Sequence, residues 1–130
     1  MKRGKILIVD DHAGTLEFLS FFLSSEGYEI LPLADPREVI VQAPAFQPDV
    51  LIIDLWMPGM TGLKLHRELG KVESMKKVPV IFLATDGDEY LTWSHTYASP
   101  VEYLLRPVSG AAIKRMVGTL MARNDAMKAT

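Results

Sequence analysis

A doubly wound α/β fold, with one parallel five-stranded sheet and helices on both faces, is predicted by three features of the chain. Short apolar runs alternate with stretches of helical periodicity. Two runs, Lys5 to Val9 and Val50 to Ile53, stop abruptly in acid, at Asp10-Asp11 and at Asp54. Two later runs are followed by Thr85 and Arg106. Buried parallel strands read as near-continuous apolar runs. In doubly wound sheets, ligands bind beyond the carboxyl ends of the strands. Polar groups at four run ends therefore converge on one predicted site.

The elements follow in order. Strand one is Lys5 to Val9. Helix one runs from about Ala13 to Ser25 and stops before Gly27, a natural C-cap residue. Its Thr15, Phe18, Leu19, Phe22 and Leu23 form a predicted core face, and Phe21 points to solvent. Strand two is Glu29 to Leu33. Asp35-Pro36 reads as an N-cap followed by Pro at the first helical position. The helix it opens is expected to be short, because Pro44 interrupts the pattern. Strand three leads into a Pro- and Gly-rich loop and a helix from about Leu63 to Leu69. Strand four is Val80 to Ala84, and a fourth helix is predicted at Glu89 to Ala98. Tyr90, Trp93 and Tyr97 recur there at helical spacing. Pro100 removes a donor and disfavours helix at Ser99. Strand five is Glu102 to Leu105. Ser109 caps a fifth helix ending near Arg123, with Ile113, Met116, Val117, Leu120 and Met121 inward. The domain spans 1–124, and 125–130 is expected to be a frayed tail. Because the chain stops soon after this helix, no output domain is expected.

Composition narrows the function. The chain has 130 residues, of which 48% are hydrophobic, enough for one domain with a core. Its formal net charge is -2, and its few basic groupings make no nucleic-acid footprint. It has no cysteine, which excludes disulfides and thiol chemistry. No apolar stretch approaches membrane-spanning length, and the Met1 region lacks a signal-peptide core. A cytoplasmic domain with no membrane or direct nucleic-acid partner is expected.

The predicted site has a definite chemistry. Three carboxylates at adjoining strand ends repel one another unless a cation or shared proton relieves them. Asp10, Asp11 and Asp54 offer the hard oxygens that Mg²⁺ prefers. Thr85 adds a hydroxyl, and Arg106 a permanent cation with several donors. Such a set suits phosphoryl transfer, which relies on positioning and charge stabilisation. A carboxylate can itself be the nucleophile.

The chain resembles the response-regulator receiver domains of two-component signalling, from Lys5 to about Arg123. The resemblance rests on Asp10-Asp11, on Asp54 within Asp-Leu-Trp-Met-Pro-Gly-Met-Thr-Gly, and on Thr85, Tyr103 and Arg106-Pro107. It implies a flavodoxin-like strand order 2-1-3-4-5. It further implies that Asp54 is the phosphoacceptor and that Asp11 binds Mg²⁺ directly. Asp10 would act largely through water, and the Trp56 backbone carbonyl would bind the metal. Thr85 and Tyr103 would form the switch pair. The implied donor is a phosphohistidine on a sensor histidine kinase or phosphotransfer protein, or a small donor such as acetyl phosphate. The implied signalling face joins the fourth helix, fifth strand and fifth helix, and it offers a route to a homodimer. The chain would be a signalling module, not a metabolic enzyme.

Three departures stand out. Arg106 occupies the place of the family's lysine; it reads either as a tolerated cation swap or as a group that pairs with Asp54 at rest and alters coupling. The Trp56 ring reads either as a cover over the mouth of the site or as packing on a neighbouring loop. Gly87, two residues past Thr85, presents no side chain. His12 reads as a solvent-facing loop histidine, and His66 and His95 make no metal-binding spacing. A Mg²⁺-dependent aspartyl-phosphate phosphatase remains an alternative, although Trp56 stands where it would need a second acid. A degenerate receiver working by protein contact is another.

Overall fold

The computed structural model describes residues 3–85 and 100–128. Its elements are β1 Lys5–Val9, α1 Ala13–Ser25, β2 Glu29–Leu33, α2 Pro36–Phe46, β3 Val50–Asp54, α3 Gly62–Leu69, β4 Val80–Ala84, β5 Val101–Leu105 and α4 Gly110–Lys128, with a 3₁₀ turn at Glu73–Met75. The five strands form one sheet in the order β2-β1-β3-β4-β5. Every pairing is parallel. This is the doubly wound, flavodoxin-like order that the resemblance implies. The predicted fourth helix, with Tyr90, Trp93, His95 and Tyr97, lies outside the described residues, as does Gly87.

Strand alternation splits the core in two. Leu7, Val9, Leu51, Ile53, Val80 and Phe82 face α2 and α3, whose Val39, Ala43, Leu63 and Leu69 complete that layer. Ile6, Ile8, Val50, Ile52, Ile81 and Leu83 face α1 and α4, against Leu19, Leu23, Ile113, Val117 and Leu120. Strands β3 and β4 are buried along their whole length, which explains their unbroken apolar sequences.

The caps are local and explicit. Asp35 accepts a hydrogen bond from the Arg37 N–H, with Pro36 next to it at the start of α2. Thr61 Oγ1 accepts from the Lys64 N–H and opens α3. Ser109 Oγ accepts from the Ala112 N–H at the start of α4. Gly27 takes φ +100 just past α1, a region that favours glycine.

Three expectations are corrected. Helix α2 is not cut short by Pro44 but runs to Phe46. Pro44 falls in the last turn, so it removes only its own bond toward Ile40. Gln47, left-handed at φ 54, closes the end by donating its N–H to the Ala43 carbonyl. Helix α4 continues to Lys128 instead of ending near Arg123. There Asn124 Nδ2 donates to the Asp49 carbonyl at 2.8 Å and ties the late turns to the sheet. On α1, Leu16 packs inward with Leu19 and Leu23, while Phe18 is largely exposed and stacks on Phe22 at 5.9 Å. The one-residue offset rotates Phe18 about 100° away from Leu19. Phe21 is exposed, as expected.

Candidate functional site

Backbone pairing carries three elements into the site. The Asp10 N–H donates to the Leu33 carbonyl, the Leu55 N–H to that of Leu83, and the Arg106 N–H to that of Ala84. The ladder therefore runs one residue past the ends of β1, β3 and β5. That extension fixes the backbones from which Asp10, Asp54 and Arg106 project. The loop after Asp54 is held by Gly62, whose N–H donates to the Leu55 carbonyl at 2.8 Å. A Cβ at Gly62 would lie 2.5 Å from the Asp54 carbonyl oxygen, so the helix can approach the strand end only with glycine there.

The carboxylates meet as the sequence predicts. Asp10 is fully buried and Asp54 nearly so, while Asp11 stands at the mouth. Asp10 is fully satisfied: Oδ2 accepts from Arg106 at 2.6 Å, and Oδ1 from the His12 N–H and Nδ1 at 2.9 and 2.8 Å. Burial opposes its ionisation, but the Arg106 and His12 hydrogen bonds prevail and hold its pKa below the usual value. Asp54 differs. Its Oδ1 accepts from the Trp56 N–H at 3.2 Å and lies 3.1 Å from Arg106. Its Oδ2 is buried, with no hydrogen-bond partner among the described residues; His12 Nδ1 lies 3.4 Å away. Burial first, then Asp11 and Asp10, push the Asp54 carboxyl up to about 6, against the pull of Arg106. An orphaned oxygen on a buried carboxylate, among hard oxygen donors, fits a cation or an electrophile.

Arg106 is a fork across the site. One terminal nitrogen reaches Asp10 and Asp54, and the other donates to Thr15 Oγ1 at 3.2 Å. Pairing with Asp54, one of the two readings of this residue, is thus present. Thr15 was expected in the apolar face of α1; instead its hydroxyl serves Arg106. Trp56, whose N–H meets Asp54, is exposed. Thr85 follows β4, exposed, two residues past the Leu83 that pairs with Asp54. Tyr103 lies mid-β5, half-buried, with its ring stacked on Phe82 at 5.6 Å.

His12 was read as a loop residue facing solvent. Its side chain is 59% exposed, yet Nδ1 lies 2.8 Å from Asp10, 3.3 Å from Asp11 and 3.4 Å from Asp54. The hydrogen bond to Asp10 raises its pKa. The signal was its place directly after the acidic pair, at the N-cap of α1, where a ring can fold back over the strand end. Asp10, Asp11, His12 and Asp54 together offer four ligand atoms within 4.8 Å of one another. Among the described residues, no helix is long and apolar enough to cross a membrane.

A family model of the response regulator receiver domain matches residues 6–118. The DNA-binding response regulator MtrA of Mycobacterium tuberculosis is 27% identical over 123 residues, covering 95% of this chain and 53% of MtrA. The chain spans about half the length of the first curated relatives it matches. Protein PilH of Pseudomonas aeruginosa is 28% identical over 120 residues, covering 92% of this chain and 98% of PilH. Among solved structures, the chemotaxis protein CheY4 of Vibrio cholerae superposes with a TM-score of 0.83 at 25% identity, covering 90% of this chain and 98% of CheY4.

Proposed function

The chain belongs to the response regulator receiver domain family, and from that premise we propose that Asp54 takes a phosphoryl group from a phosphohistidine on a sensor kinase or phosphotransfer protein. The observation that carries the reading is the Asp54 carboxylate: buried at a strand end, with one oxygen that has no hydrogen-bond partner among the described residues, and Asp10, Asp11 and Arg106 around it. Asp54 Oδ2 attacks the phosphorus, a P–O bond forms, and the P–N bond to the donor imidazole breaks. The departing imidazole nitrogen takes up a proton. A carboxyl titrating near 6 is mostly ionised at neutral pH and so is available as nucleophile.

Asp10, Asp11, Asp54 and the Trp56 carbonyl would hold Mg²⁺, which when bound supplies charge neutralisation between the carboxylates and the phosphoryl oxygens. Arg106 keeps Asp10 and Asp54 from repelling each other at rest. Once Asp54 carries the phosphoryl group, the fork opens and its donors turn to the phosphoryl oxygens. Thr85 donates its hydroxyl to the same oxygens. Tyr103, in β5 and packed on Phe82, reports the change to the surface around β5 and α4. That surface is where a partner or a second copy docks. The chain is a cytoplasmic signalling module whose chemistry is confined to its own Asp54.

Phosphotransfer profiling against a set of radiolabelled, autophosphorylated histidine kinases tests this reading. Label is expected to pass to the wild-type chain and not to Asp54→Asn. A chain that accepts label from neither a kinase nor acetyl phosphate would overturn it.

A further inference from the structure

Helix α3 buries Leu63, Leu65, His66 and Leu69. Among these four only His66 carries a polar side chain, and it is 7% exposed. An apolar residue would fill the place without the cost of desolvating an imidazole. Burial lowers the His66 pKa to about 4, so the ring is neutral near neutral pH and carries no charge to act at a distance. What it brings to the core is a flat aromatic ring.

That ring meets Phe82 of β4, with centroids 5.6 Å apart and planes at 88°. Phe82 is fully buried, and its register partner on β5 is Tyr103. The Phe82 and Tyr103 rings stack at 5.6 Å with 29° between their planes. Both separations fall where aromatic pairs attract beyond plain burial. Phe82 is thus the middle of three rings that run from α3 to β5. The first turn of the same helix is fixed on the acceptor strand. Gly62, one turn before His66, sits where a Cβ would lie 2.5 Å from the Asp54 carbonyl oxygen. Interiors packed this closely transmit displacement. A Tyr103 ring that leaves Phe82 therefore changes what Phe82 offers to His66, and the reverse holds equally.

We propose that His66 is a positioning residue for Tyr103: acting through Phe82, it holds the Tyr103 ring in its stacked place and links that place to α3 and the backbone at Asp54. The proposal rests on reading Tyr103 as the switch ring, and it adds a packing contact from α3 to the hydroxyl route through Thr85.

Fluorine NMR of the full chain labelled with fluorotyrosine tests it, with no phosphoryl group present. Tyr103→Phe identifies the Tyr103 signal. The ratio of stacked to displaced Tyr103 ring is expected to fall about two- to tenfold in His66→Leu. It is expected to return toward the wild-type value in His66→Phe, which restores a ring. A histidine that only fills space would give way to leucine without moving this ratio. Should His66→Leu not fold, His66→Gln keeps bulk without a ring and carries the same expectation. An unchanged ratio in the ringless variant, or a loss that His66→Phe does not restore, overturns the proposal. The measurement is made on the resting chain, so a failure of Asp54 to take label strikes the proposed function and leaves this result standing.

Discussion

Arg106 and Asp10 meet at 2.6 Å, where the carboxylate has no solvent exposure, and the same guanidinium nitrogen lies 3.1 Å from Asp54. The phosphoacceptor candidate is thus tied at rest to a fork that is itself anchored on Thr15 of α1. A lysine ammonium is a compact point charge and cannot span Asp10, Asp54 and Thr15 with a rigid fork.

Arg106→Lys is therefore expected to be labelled faster by acetyl phosphate. Opening the fork costs the Thr15 bond, worth about 1 kcal/mol, or roughly fivefold in rate. Thr15→Val is expected to shift the rate in the same direction. Stopped-flow or timed mass measurements of labelling read both. Identical rates and identical conformational responses in wild type and Arg106→Lys would show the arginine to be a plain cation swap.

Two buried groups titrate against each other. Burial lowers His66 to about 4, so the unfolded chain binds more protons between about 4 and 6.5, and this group weakens the fold as pH falls. Asp54 is raised to about 6 from 3.8, so the folded chain binds more protons there, and this group strengthens the fold as pH falls. Each is worth at most about 3 kcal/mol, and they nearly cancel. In metal-free buffer, Asp54→Asn is expected to lose stability steeply from pH 7 to pH 4, and His66→Leu to gain it. Urea denaturation across that range checks both; curves parallel to wild type would contradict the assignment.

Gly62→Ala places a methyl group against the Asp54 carbonyl, Ile53 and Leu55. The expected destabilisation is about 1–3 kcal/mol, with a loss of Asp54 labelling beyond what the unfolded fraction accounts for. Gly59 offers a comparison. It has φ +82 and nothing near its missing Cβ, so Gly59→Ala is expected to cost only about 1–2 kcal/mol of backbone strain and to leave α3 in place.

Asn124→Ala removes the bond to the Asp49 carbonyl. A loss of about 1 kcal/mol is expected, with faster amide hydrogen exchange confined to the last turns of α4. Unchanged exchange there would mean that apolar packing alone holds the C-terminal end.

The parts that were legible in the sequence obey short-range rules. Val50 to Ile53 is apolar at every position because both faces of β3 are covered, and Asp54 marks where cover ends. Asp35 and Ser109 act as caps through bonds two or three residues away. What escaped depends on distance or on small offsets. Asn124 extends α4 by reaching a carbonyl 75 residues away. Thr15 looked like part of a core face because helical spacing cannot show that a guanidinium from beyond β5 lies opposite. His12 looked like a loop residue because exposure of the ring says nothing about where its buried-side nitrogen points. The strand-end acids, in contrast, were legible because parallel strands bring their ends together whatever the loops do.

The proposed function turns on Asp54 as the phosphoacceptor. Intact-mass measurement after incubation with acetyl phosphate and Mg²⁺ tests it most directly, in wild type and Asp54→Asn side by side. One acid-labile phosphoryl group per wild-type chain is expected, and none on the variant. Equal labelling of both chains, or no labelling of a folded wild type, would contradict it.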